Sequence, residues 1–328
     1  MNIRKLDLQL ITDFRNKANE NWTLMHIFQN HNGKNGWNKI CSAMDWITVG
    51  AEGVDVSLLS SDNSNDASRR MMLFLSCIDV MWEGISQLHK VLYETDKIPL
   101  EDEHVVFKQK KNDNKFFKKI RAIFMAHPVN LQDVYGKSDQ WYASWSGGQF
   151  SKEDFYVYLY SDIPGKDPVR FSVSFSDLME FANRRYMLLT DFITKIDEIV
   201  EEYNQKWREI IIPVSEDPVE YISILMTENK NRWTNDWIRN RLDYLFDAFT
   251  VSPSEEKNIK ILEEYQSALR KEIDEIHQML QSVDYGHDLN ETPVNIPHNM
   301  MYMYDQLYDG IPAIENIGVK AFRSIVVI

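Results

Sequence analysis

The residues best suited to chemistry lie between Lys108 and Pro128, in the stretch KQKKNDNKFFKKIRAIFMAHP. Seven bases (Lys108, Lys110, Lys111, Lys115, Lys118, Lys119 and Arg121) stand with a single acid, Asp113, in a chain of formal net charge −14. A cationic run on an acidic chain calls for an anionic partner, either a ligand or an acidic face of the protein itself. The run leads into Arg121 and His127. A guanidinium can grip a phosphate through two parallel hydrogen bonds, and an imidazole can exchange a proton near neutral pH. Together they would suit phosphate-ester chemistry, with His127 as the acid or base.

Six residues apart on an ideal helix, the two side chains would stand about 120° apart, too far round to share a small site. Pro128 changes this expectation. It disfavours helical dihedrals at His127, so the helix should end there and the imidazole leaves the ideal helical position. Asp79 and Glu83, one turn apart on the preceding long helix, are carboxylates that could face the basic run. The plainer reading of that pair is a solvated flank.

Other signatures of catalysis are missing: there is no phosphate-binding glycine loop, HExxH, GxSxG or paired Cys-x-x-Cys. Asp284, His287, Asp288, Glu291 and His298 have no recognised ligand spacing and read as a polar turn, so neither a metal nor a cofactor is expected. A second Arg–His pair, Arg270 and His277, lies in a helix crowded with Glu272, Asp274 and Glu275, where phosphate would be repelled.

The elements that must position these residues read as mostly helical. Few turn residues (12 Gly and 10 Pro in 328 residues) and 44% hydrophobic content favour long helices with ample cores. Apolar spacing predicts one or two helices over 4–30 and another from Trp37 to about Leu59, weakened by Gly50 and Gly53. A long helix follows over 69–95, capped by Asp66 or Ser68, with Met72, Leu75, Ile78, Trp82, Ile85, Leu88 and Leu92 as its stripe. An aromatic region follows (Tyr135, Trp141, Tyr142, Trp145, Phe150), in which Trp141, Tyr142 and Trp145 are expected to be exposed and able to stack on bases. FYVYLY and VRFSVSF alternate and predict a β-hairpin at about 155–175, with Phe175 on the inward face.

One long helix is then expected from Ser176 to about Ile212. VSEDP (214–218) marks the boundary, giving a first domain of 1–213 and a C-terminal helical domain of 214–328. Asp217-Pro218 opens the next helix. Two more helices are expected, at about 232–250 (Trp233, Trp237) and 253–281 (with Ile259 inside), and a short one at the Met/Tyr run 300–308. The fold class is mainly α: a helical bundle core with one β-hairpin and a second helical region.

Cys41 and Cys77 sit in apolar patterns and read as reduced, buried residues of a cytoplasmic protein. No signal peptide or membrane span is expected.

Arg-x5-His followed by Pro, closing an apolar helix behind another long helix, resembles the HEPN superfamily over about residues 66–130. That resemblance implies an all-helical domain, often dimeric. It also implies a metal-independent ribonuclease of the toxin–antitoxin or phage-defence kind, in which Arg and His cleave RNA through the neighbouring 2′-hydroxyl. Arg121 would then hold the phosphate and His127 would move the proton, with the six lysines along the RNA. Ala122 departs from the polar residue that often follows the Arg in active members. The alternative is a non-enzymatic interaction or scaffold protein, whose basic patch docks on an acidic partner or a second copy.

Overall fold

The computed structural model describes residues 4–284, apart from 109–111, 133–138, 146–153, 233–234 and 253–255. The fold is mainly α with a small antiparallel sheet, as the sequence indicates. Two compact units divide it, 1–199 and 200–328.

In the first unit, helices α1 (Leu8–Asn19), α2 (Trp22–Gln29), α3 (Gly36–Gly53) and α4 (Ser64–Leu92) start on Asp7, Asn21, Asn35 and Asn63. Each of these side chains accepts an otherwise orphaned amide of the first turn. The cap of α4 is therefore Asn63, not Asp66 or Ser68; it accepts from both Asn65 and Asp66. α3 stops at Gly53, and a separate 3-10 turn covers Val56–Leu59.

Gly50 and Gly53 do not weaken α3; they let it lie against α4. A Cβ at Gly50 would stand 2.7 Å from the carbonyl oxygen of Cys77, and one at Gly53 would run into the Cys77 sulfur. Gly84 meets Ile47 in the same way from the α4 side. Cys41 and Cys77 are free thiols, half-buried rather than fully buried.

The buried set of α4 is broader than one stripe: Met71, Phe74, Leu75, Ile78, Met81, Ile85, Leu88 and Leu92 are all in the core, because α3 and later elements pack on different sides. Met72 is exposed. By length and composition α4 could cross a membrane, but 56% of its apolar window is buried within the protein, as in a core helix.

The sheet is larger than the expected hairpin. Strands β1 (Leu131–Gln132), β2 (Gln140–Ser144), β3 (Asp154–Ser161) and β4 (Val169–Ser174) pair antiparallel in that order. Val157 faces Phe171, and Phe155 faces Val173. Phe175 is not in the hairpin but opens α6 (Phe175–Tyr186), which Ser174 caps. The single long helix expected after it is two, α6 and α7 (Leu188–Glu209). They part at Met187, where the Thr190 amide turns back to the Met187 carbonyl at 3.0 Å, a tighter three-residue turn.

The second unit contains the end of α7 with α8 (Pro218–Arg232), α9 (Asp236–Thr250) and α10 (Glu256–Ser282). The Asp217 side chain accepts from Val219 at 2.9 Å, so Asp-Pro opens α8 as read. Leu225, Ile238, Leu242, Leu245, Leu269, Ile273, Ile276 and Leu280 form its core, while Ile259 is exposed.

The division at 199/200 falls inside α7. Within the second unit Arg232, fully buried, donates to the carbonyls of Trp207, Ile210 and Leu280 and pairs with Glu228. Trp233, Tyr135, Phe150 and the 300–308 run lie outside the described residues.

Candidate functional site

The basic run folds as α5 (Asp113–Arg121), followed by one π-helical turn, Ala122–Ala126. Asn112 caps α5 by accepting from Lys115 at 2.9 Å. Asp113, read from sequence as the one acid on a basic surface, is fully buried. Its carboxylate accepts from the backbone amides of Val105, Val106 and Phe107 at 2.9, 3.0 and 3.1 Å. Its own amide donates to the Glu103 carbonyl at 2.7 Å. The charge of Asp113 is thus spent on the backbone that leads into the run.

The inner side of α5 is aromatic and apolar. Phe117 stacks on Phe181 at 4.5 Å, and Phe116 lies 6.3 Å from Phe171 on β4. From the π-turn, Phe124 reaches Phe155 and Phe171. α5 and its π-turn therefore cover one face of the sheet. Lys115 and Lys118 stay exposed on the far side, and Lys119 holds its ammonium 5.6 Å from the Phe171 ring centre. Lys108 is exposed with φ of 51°. Lys110 and Lys111 lie outside the described residues.

Arg121 turns onto α4 and forms an ion pair with Asp79. One turn further on, the Ser76 hydroxyl meets the Met125 sulfur at 2.9 Å. Of the two carboxylates singled out, Asp79 makes the pair, while Glu83 is exposed and acts on Asp79 through its charge. Burial pushes the Asp79 carboxyl above its ordinary range; Arg121 opposes this, Glu83 adds to it, and Lys118 opposes it weakly. Arg121 Nε is buried with no hydrogen-bond partner among the described residues.

The π-turn is the part that sequence could not foretell. Its closing bond runs from the His127 amide to the Ala122 carbonyl, 3.0 Å, one residue wider than an α-turn. His127 then leaves helical geometry (φ −138°, ψ 43°), and its side chain is exposed. The Ala143 amide donates to the Pro128 carbonyl at 2.6 Å, which ties the residue after His127 to β2. The structure brings Arg121 and Asp79 together. Arg121 makes its polar contact with Asp79 and not with His127.

With this geometry known, comparison with other proteins adds no relative: no family model, no curated protein and no solved structure matches the chain.

The second Arg–His pair stands two turns apart on α10, in different surroundings. Arg270 is exposed, whereas His277 packs 5.7 Å from the Tyr221 ring, where burial lowers its imidazole pKa. Glu272, read as part of an acidic surface, turns inward to pair with Arg241, both nearly inaccessible. Burial pushes Glu272 up to about 6 despite that arginine. Among the described residues, no group of three or more His, Cys, Asp or Glu could hold a metal ion. His287, Asp288, Glu291 and His298 lie outside them.

Sequence reading missed two features near the site. One is Arg185, fully buried, which lies 3.5 Å from the Phe181 ring centre and donates to Asn114 Oδ1 of α5 at 2.7 Å. Burial drops its guanidinium to about 9. The other is β2, whose residues form a third full strand; it buries Trp141, expected to be exposed, because that side chain falls on the core face of the sheet, while Tyr142 falls on the other. The alternation of Trp141 and Ala143 with Tyr142 and Ser144 was a usable signal, hidden by its shortness.

Proposed function

We propose that the first unit binds RNA and cleaves its backbone without a metal, at Arg121 and His127. The observation that carries this reading is the wide turn after Arg121: π-turns of this kind are uncommon and concentrate at functional sites. Here one separates a guanidinium anchored to Asp79 from an exposed imidazole. The unpaired, buried Nε of Arg121 favours an incoming acceptor, since leaving such a donor unmade costs about 1–3 kcal/mol. Lys115 and Lys118 on the same helix supply the attraction for a polyanion, and that attraction falls with salt.

In the reaction, the ribose 2′-oxygen attacks the adjacent phosphorus and the bond to the 5′-oxygen of the next nucleotide breaks. A 2′,3′-cyclic phosphate and a 5′-hydroxyl are left. His127 either takes the 2′-hydroxyl proton or gives one to the departing 5′-oxygen, with water handling the other proton. Arg121 balances the charge gathering on the phosphoryl oxygens. These are the roles that the sequence resemblance to the HEPN superfamily implies for Arg121 and His127.

The test is cleavage of end-labelled RNA by the full chain in excess chelator. Wild type is compared with His127→Ala and Lys115→Glu/Lys118→Glu. The reading expects cyclic-phosphate products from wild type, a loss of about 100-fold or more in His127→Ala, and a salt-dependent loss in the double variant. Equal rates in wild type and His127→Ala would refute it.

A second reading draws on the same ion pair. Because Asp79 already counters Arg121, the pair can serve as a staple between α4 and α5, with the exposed lysines docking on an acidic protein. Binding that survives Arg121→Ala but is lost when Lys115, Lys118 and Lys119 are reversed in charge would favour it.

A further inference from the structure

The face of the sheet turned away from α5 has no part in the site above, and its composition is unusual. Along β3, Phe155, Val157 and Leu159 point into the core, so Tyr156, Tyr158 and Tyr160 point out. Register carries the pattern across the sheet. Tyr142 on β2 faces Tyr160, Ser144 faces Tyr158, and on β4 Arg170 faces Tyr158 while Ser172 faces Tyr156. Among the described residues, four tyrosines and one arginine thus share one face, bordered by serines.

Tyr160 and Tyr142 are 44% and 37% exposed, and Tyr156 and Tyr158 are half-buried against one another, edge to face at 5.9 Å. Arg170 lies over the Tyr156 ring, 4.0 Å from its centre. Solvent-facing strand positions normally carry charged or small polar residues, so a continuous row of rings marks a binding surface.

We infer that this tyrosine face is a stacking platform for single-stranded RNA, on the same unit as the site proposed above. Rings with hydroxyls at their tips and a guanidinium among them match unpaired bases, which present a π-face and polar edges. The span also fits: alternate residues of a strand stand about 7 Å apart, so Tyr156 to Tyr160 covers about 14 Å, room for two or three splayed bases.

β2, which carries Tyr142, also donates its Ala143 amide to the Pro128 carbonyl next to His127, so the platform and the end of the π-turn share a strand.

The platform rests on the RNA reading but is separable from cleavage. The experiment measures binding of a fluorescent single-stranded oligoribonucleotide to the full chain by anisotropy, beside a duplex of the same sequence and the deoxy single strand. Variants are Tyr158→Ala/Tyr160→Ala, Tyr158→Phe/Tyr160→Phe and His127→Ala. Loss of a stacking ring costs about 5- to 150-fold in affinity per base. The alanine pair is therefore expected to bind at least about tenfold more weakly, and the phenylalanine pair about as wild type, which also shows that the strands tolerate substitution. The duplex is expected to be indifferent to both.

Alanine binding equal to wild type, no single-strand binding by wild type, or an equal loss in alanine and phenylalanine pairs would each overturn the platform. So would self-association that the alanine pair abolishes with RNA binding unchanged, which would give the face to a second copy of the chain. Deoxy binding equal to RNA would overturn the choice of RNA. Tyrosine-dependent binding without any cleavage that His127→Ala removes would sink the nuclease reading alone.

Discussion

Replacing Asp113 by alanine should be among the most costly single changes in the first unit. The carboxylate accepts three backbone amides, and the amides it serves differ in burial. Val106 and Phe107 are 5% and 7% exposed, so their N–H groups would be stranded; Val105 is 48% exposed and its amide can return to water. Two stranded donors at about 1–3 kcal/mol each, with a smaller loss at the third, give about 3–5 kcal/mol. For a unit of this size that is a fall of roughly 10 °C in Tm. Asp113→Asn keeps one acceptor oxygen and should lose about half as much. Because the chain has two units, a global melt would blend their transitions. Amide exchange resolved to Val105, Val106 and Phe107 is the better assay. In the alanine variant their protection should collapse while that of the α8–α10 core stays unchanged. A change under about 1 kcal/mol, with those amides still protected, would refute the assignment of Asp113 as the anchor of this loop.

Gly50→Ala would press a methyl group onto the Cys77 carbonyl, which cannot move aside as a side chain could, and should cost about 1–3 kcal/mol in urea unfolding. Stability of the second unit should fall as pH rises through the folded pKa of Glu272, about 6. A carboxyl raised above its ordinary 4.5 binds its proton more tightly when folded, so its contribution is complete below 4.5 and lost above 6. Urea midpoints at pH 4.5 and 7 would show this, and Glu272→Gln should flatten the difference; an equal slope in both proteins would refute it. A double-mutant cycle on Asp79→Asn and Arg121→Met should return a coupling of about 1 kcal/mol, since both partners are roughly one-quarter exposed. A coupling near zero would mean that the pair does not hold α5 to α4.

How much of this was legible beforehand depends on the range of the interaction concerned. Periodicity and turn residues mark the helices and the β3–β4 hairpin because those signals are local. The opening of α8 at Asp217-Pro218 is likewise a matter of adjacent residues. What escaped is set by partners distant in sequence. Asp113 looks like a surface acid until the 105–107 backbone folds over it. Gly50 and Gly53 look like helix weakness until α4 arrives. Arg232 looks like a surface base until carbonyls up to 48 residues away close over it. In the candidate site, the types and order of Arg121, His127 and Asp79 were readable, along with the departure of the chain from the helix at His127. The π-turn was not, because no residue type specifies it.

That turn has a consequence for how the chain tolerates insertion and deletion. A π-turn holds one residue more than the α-turn it replaces, so taking one residue out of 122–126 would let the ladder close in the ordinary way without disturbing what comes before or after. Such a shortened chain would bring His127 one step nearer to Arg121 in number, while Arg121 stays held to α4 and Pro128 to β2. Counting residues between the two is then a poor guide to their relation in space; the fixed points are the helix and strand that grip the segment at each end.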